Sequence, residues 1–249
     1  STLDRSSAAS DVYKRQKDTK LHTVCIGAEP HSEEQRKRIE QLLGVKAYNC
    51  FGMSEMNGPG VAFECTEQNG LHIWEDNVIV EIVDPVTLQP VPEGEVGELV
   101  LTTINREAMP LLRYRTRDLT CILPGDCPCG RTHKRLARFK GRSDDMIILK
   151  GVNLFPIQIE KILMQFKELG SNYLITLETI GNSDEMLIEV ELSDLFTDDY
   201  SALQRLTKGI TRQLKDELLL TPRIKLVAKG SLPTTDGKAV RVKDHRKLC

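Results

Sequence analysis

Apolar and polar positions change their period several times along the chain. Residues 21–27 read LHTVCIG, a short apolar run that predicts a buried parallel strand. Ser32 precedes Glu33, Glu34 and Gln35, which predicts a helix start with Ser32 as cap and Gln35 closing a capping box. Ile39, Leu42 and Leu43 supply an apolar face, Gly44 ends the helix, and residues 45–50 return as a strand. Strand, helix and strand in this order build a parallel sheet.

From Gly70 to Thr103 the period becomes that of strands. LHIWED, VIVEIVD and GELVLTT are separated by Asp84-Pro85, Pro90–Gly94 and Gly97, which predicts a meander or small barrel-like sheet. A further β-rich portion runs to Phe139. Beyond Asp144-Asp145 the order becomes strand, helix, strand, strand, helix, strand. Pro156 opens a helix with Ile159, Ile162, Leu163 and Phe166 on one side. Residues 172–180 and 186–192 alternate as strands. Leu203, Leu206, Ile210, Leu214 and Leu218 repeat at helical spacing through 200–219, and 224–227 supplies the final strand. The fold class is thus an α/β and β-rich portion, residues 17–142, followed by a small two-layer α+β domain, residues 143–249. Residues 1–16, STLDRSSAASDVYKRQ, carry no periodic face and read as a linker or non-native segment.

Composition narrows the function classes. Apolar residues form 40% and charged residues 28%, which fits a packed domain rather than a disordered one. A formal charge of -2 gives no reason to expect nucleic acid as partner. No stretch approaches about 18 apolar residues, so no spanning helix is expected. The cysteine count of seven is odd and no export signal precedes it, which favours a reducing, cytoplasmic setting. Cys25, Cys50 and Cys121 lie among apolar residues and read as small buried hydrophobes.

Five motifs occur in one order: Gly27-Ala28-Glu29-Pro30, Tyr48–Glu55 (YNCFGMSE), Arg113–Asp118 (RYRTRD), Gly141–Asp145 (GRSDD) and the Gly237-Lys238 turn. The series resembles the nucleotide-site and lid motifs of acyl-CoA synthetases and related adenylate-forming enzymes. The wording RYRTRD, CPCGRTH, GRSDDM and KGVNLFPIQIE is most similar to that of phenylacetate–coenzyme A ligases. Residues 17–142 would then be the end of the large AMP-binding domain, and 143–249 its mobile lid. The implied substrates are an aryl carboxylic acid, ATP with Mg2+, and coenzyme A, and the resemblance is compatible with a homodimer.

The resemblance also implies roles. Gly27, Ala28, Glu29 and Pro30 would lie against adenine and acyl group, with Gly27 allowing close approach. Phe51 would stack on the purine, beside Gly52, and Tyr48 would border the acyl pocket. Ser54 would donate to a phosphate and Glu55 would hold Mg2+, although a helix cap with an acidic first turn has the same residues. Asp118 would accept from the ribose hydroxyls, with Arg142 on ribose or phosphate. Asp144 would be the hinge of a lid that presents Lys238 for adenylation and the Gly151–Asn153 face for thioester formation. Lys238 is the catalytic candidate, because a placed ammonium stabilises charge growing at the α-phosphate. A lone lysine in such a turn otherwise faces solvent.

Cys127-Pro128-Cys129 has tight C-x-C spacing, and Cys65 and His72 lie between β-like runs. Cys65, His72, Cys127 and Cys129 form a candidate structural Zn2+ set, with His133 competing for the fourth place. Nothing in residues 1–40 resembles the Ser/Thr/Gly-rich phosphate loop of complete enzymes. The chain is therefore expected to be part of a longer ligase, with a non-catalytic remnant, another aryl acid, or a carrier-protein acceptor as alternatives.

Overall fold

The computed structural model describes residues 20–56, 58–181, 183–193, 200–233 and 239–246. The expected linker at 1–16 and Lys238 lie outside these. The chain begins with β1 (Thr23–Ile26), α1 (Glu33–Leu43) and β2 (Lys46–Met53). β1 and β2 pair in parallel, Thr23 against Lys46 through Ile26 against Asn49. β3 (Gly58–Glu64) and β4 (Leu71–Ile73) continue the sheet antiparallel, so the LHI run belongs here and not to the meander. β5 (Val78–Val83), β6 (Gly97–Thr103) and β7 (Tyr114–Thr120) form the meander, in a second sheet. β8 (Ile122–Leu123) and β9 (Arg135–Leu136) return to the first sheet, in the order β1-β2-β3-β4-β9-β8. β10 (Gly141–Arg142) adds to β7 at the margin of the second.

Two expectations for the opening unit change. β1 is half-buried to exposed rather than buried, because it ends its sheet and has one partner strand among the described residues. Cys25 is accordingly exposed and Cys50 half-buried, which leaves Cys121 as the buried hydrophobe of the three. In α1, Leu42 is 59% exposed while Arg36 is buried. Arg36 is held by Glu33 and Glu40 on the same helix, so ion pairs cover the face expected to be apolar.

The lid begins with the hairpin β11 (Ile147–Leu149) and β12 (Val152–Leu154). Lys150 at φ 51° and Gly151 at φ 82° make its two-residue turn, where positive φ at both positions matches strand twist. α2 (Pro156–Leu163), β13 (Leu169–Ile180), β14 (Ser183–Leu192), α3 (Tyr200–Leu218) and β15 (Arg223–Val227) follow. A last strand, β16 (Val242–Asp244), pairs in parallel with β13, Ile175 against Val242, and gives the order β15-β14-β13-β16. The sequence reading missed β16, because three residues inside a basic run carry no strand period.

The lid core draws every buried member from between Ile147 and Leu220, and α3 contributes Leu206, Ile210 and Leu214. A second cluster, from Met56 to Leu136, fills the sheets of the first part. Because the two cores share no member, residues 143–249 are expected to fold alone, with dispersed amide resonances and cooperative melting. In that piece Ile175→Ala is expected to cost about 2–5 kcal/mol in urea unfolding. A molten 143–249 would contradict the division.

Candidate nucleotide site and lid interface

Between the two parts lies a cavity of about 440 Å3. Its walls are the turn after β1 (Gly27, Glu29, Pro30, His31), Gln35 and Ile39 of α1, Arg142 and Asp145, the start of α2, Tyr173, and residues 239–242. It opens at the carboxyl end of parallel β1, where open α/β sheets commonly take ligands.

A Cβ on Gly27 would stand 2.6 Å from both the carbonyl oxygen and Sγ of Cys50. The neighbouring strand β2 therefore demands this glycine, rather than a ligand alone. Ala28 follows at φ 69°, an uncommon left-handed position for a residue with a side chain. The turn is held from the lid, for Glu29 Oε1 accepts from the Ala239 amide at 2.7 Å.

The deeper contact is made by Glu160 of α2. It is 6% exposed, and its Oε1 accepts from the Ser32 amide at 3.0 Å. Tyr173 Oη donates to its Oε2 at 3.3 Å. Ser32 Oγ caps α1 as expected, accepting from Gln35 N at 3.2 Å. The reciprocal half of the capping box comes instead from the lid, because Glu160 takes the Ser32 amide and Gln35 turns to the cavity. Burial pushes the Glu160 carboxyl up, with the Ser32 amide opposing it. Burial and the adjacent carboxylate also push the Tyr173 phenol well above its usual range. The Arg241 guanidinium lies 4.6 Å from the Tyr173 ring centroid, a cation–π arrangement on the lid wall. Arg38 adds a second tie, donating to the Leu169 carbonyl at 2.6 Å.

At the junction, Arg142 grips Asp144 with a two-pronged contact, Nε to Oδ1 at 2.9 Å and Nη2 to Oδ2 at 2.8 Å. This guanidinium holds the Asp144 carboxyl below the ordinary aspartate range. Arg142 Nη1 donates to the Thr116 carbonyl at 3.2 Å and lies 3.9 Å from Asp118 Oδ1. Asp118, Arg142 and Asp144 therefore meet, because β10 sets Arg142 opposite Asp118.

Other candidates stand apart from the cavity lining. Tyr48 and Gly52 are half-buried on β2. The Phe51 ring packs on Phe139 with centroids 4.5 Å apart. Ser54 and Glu55 are exposed on a 3-10 turn after β2, where the Glu55 carbonyl accepts from Arg106. Gly151 is exposed at its hairpin tip. Sequence reasoning missed Glu160, Tyr173 and Arg241. Glu160 was the one legible signal, an acidic residue set between Ile159 and Ile162 on an otherwise apolar helix face. Outside the cavity lining, Cys65, His72, Cys127 and Cys129 place their ligand atoms within 4.8 Å of one another.

Two family models match the chain, an AMP-binding enzyme over residues 3–105 and an AMP-binding enzyme C-terminal domain over 151–246. The chain belongs to the AMP-binding enzymes. Its similarity runs to phenylacetate-coenzyme A ligase of Thermus thermophilus, 43% identical over 242 residues, covering 91% of this chain and 54% of that protein. The chain spans about half the length of the curated relatives it matches. A 2-hydroxyisobutyryl-CoA ligase solved in the postadenylation state with R3-HIB-AMP superposes at a TM-score of 0.87, with 30% identity, over 96% of this chain and 51% of that one. The same ligase solved in the thioesterification state with 2-HIB-AMP and CoA gives 0.53, with 29% identity, over 98% and 53%. The two parts of this chain are therefore disposed as in the postadenylation structure. Among the described residues no helix is long and apolar enough to cross a membrane.

Glu160 sets a pH dependence. Its folded pKa is raised, so its contribution to stability is full below the unfolded carboxyl pKa and lost as pH rises through the folded value. Glu160→Gln keeps an acceptor for the Ser32 amide and removes this titration, so its melting temperature should fall less between about pH 4 and pH 8. Glu160→Ala leaves that amide unpaired and should cost about 1–3 kcal/mol. An unchanged pH slope in Glu160→Gln would contradict the assignment.

Proposed function

We propose that the full-length protein carrying this chain activates an aryl acid, with phenylacetate as substrate, to its coenzyme A thioester. One carboxylate oxygen attacks the α-phosphorus of ATP and the bond to pyrophosphate breaks. The thiol then attacks the acyl carbon, and AMP leaves with that oxygen. The observation that carries this reading is the lid's disposition, in which Ala239, next to Lys238 in sequence, is bonded to Glu29 in the turn after β1. The similarity to the Thermus thermophilus ligase supports the choice of acid.

In this reading Gly27–Pro30 border adenine and acyl group, Tyr48 lies on the acyl side, and Phe51, beside Gly52, meets the purine with its ring already braced by Phe139. Ser54 and Glu55 stand exposed at the carboxyl end of β2, where a hydroxyl serves a phosphate and a carboxylate serves the Mg2+ that ATP brings. Asp118 receives the ribose hydroxyls and Arg142 steadies the same edge. Asp144 is the pivot, and Gly151 belongs to the face offered to coenzyme A after the lid turns. Cys25, Cys50, Cys65, Cys121, Cys127 and Cys129 are all free, which favours a reducing cytoplasm.

Lys238 supplies the positive charge in the first half-reaction alone. In the full-length protein Lys238→Ala should slow acid-dependent ATP–pyrophosphate exchange by about 100- to 1000-fold. Transfer from supplied acyl-adenylate to coenzyme A should change little. Equal losses in both assays would remove the two-state role.

A further inference from the structure

The cluster of Cys65, His72, Cys127 and Cys129 has the dimensions of a closed metal site. A tetrahedral zinc ion with about 2.3 Å bonds to sulfur and 2.0–2.1 Å bonds to nitrogen sets its ligands about 3.8 Å apart for two sulfurs and about 3.6 Å for sulfur and nitrogen. Cys65 Sγ lies 3.7 Å from Cys127 Sγ, and Cys129 Sγ lies 3.4 Å from His72 Nε2. The sulfur–sulfur separation is far too long for a disulfide, which needs about 2.05 Å. We propose that these four side chains bind one structural Zn2+ as a Cys3His site.

The surroundings are built for that ion. His72 is 6% exposed, and its Nδ1 lies 3.3 Å from the His133 carbonyl. A proton on Nδ1 donated there leaves the Nε2 lone pair facing the three sulfurs, the usual outer contact of a metal-bound histidine. His133 thus enters through its backbone, and its exposed ring is not the fourth ligand. Arg135 is 4% exposed and donates to the Asn69, Gly125 and Asp126 carbonyls. It ties together the two loops that carry the three cysteines, the β3–β4 turn and the β8–β9 loop, while His72 stands on β4. Four protein ligands leave no open position, so the ion joins loops and does not touch substrate. Cys65 follows β3 at the end away from Ser54 and Glu55, and seven strand residues at about 3.3 Å each put about 20 Å between them. The site is independent of the ligase reading, and either can fail without the other.

Elemental analysis of the purified 249-residue chain should find about one zinc per molecule. Removing it with a chelator should lower Tm by at least about 5 °C, and zinc should restore it. Cys129→Ser should lose the zinc, while Cys50→Ser, outside the cluster, should keep it. If Cys129→Ser does not fold, cobalt substitution of the unaltered chain decides, because three thiolates and one imidazole around Co2+ give intense tetrahedral d–d bands and thiolate charge transfer. Protein that takes up no zinc, that holds zinc equally in Cys129→Ser, or whose cobalt form lacks the thiolate bands would overturn the proposal.

Discussion

One buried carboxylate fixes how the two parts of this molecule meet. Glu160 of the lid sits at the N-terminus of α1 and takes the Ser32 amide. First-turn amides have no partner within their own helix, and the helix dipole favours a negative group beside them. The lid thus completes a helix that the first part leaves open. The cavity depends on this docking, since one wall belongs to α1 and the other to α2 and Tyr173.

Two further ties are polar as well, Arg38 to the Leu169 carbonyl and the Ala239 amide to Glu29. Among the described residues the two apolar cores share no buried residue. An interface of a few hydrogen bonds can exchange one set of partners for another, which a large hydrophobic interface resists. The junction fits the same economy. Asp144 is exposed and its grip on Arg142 is local, an ion pair between near neighbours in sequence.

Local chemistry in the sequence reported local structure well. Ser32 and Gly44 bound α1 as expected, with Gly44 at φ 68°, and the apolar repeat at 200–219 is α3, with Leu206, Ile210 and Leu214 of its expected stripe buried and Leu203 and Leu218 half-buried. What failed was long-range. Nothing near Ser32 says that its amide bonds a residue 128 positions away, nor that Arg36 and its two glutamates cover the face assigned to Leu42. Cys65, His72, Cys127 and Cys129 were recognisable as ligand types. Their convergence rests on the pairing of β4 with β9, His72 opposite Arg135, which also placed His72 rather than the His133 ring in the cluster. The site motifs were legible as an ordered series, while their meeting at Asp118, Arg142 and Asp144 needed β10 to cross to β7.

In the proposed reaction a carboxylate attacks the α-phosphorus of ATP while the lid is docked through Glu160. Isotope transfer tests it most directly. The full-length protein would be supplied with ATP, coenzyme A and phenylacetate carrying 18O in both carboxylate oxygens. An acyl-adenylate route leaves one 18O in the AMP released and none in pyrophosphate. Unlabelled AMP, or label found in inorganic phosphate beside ADP, would rule out the acyl-adenylate route.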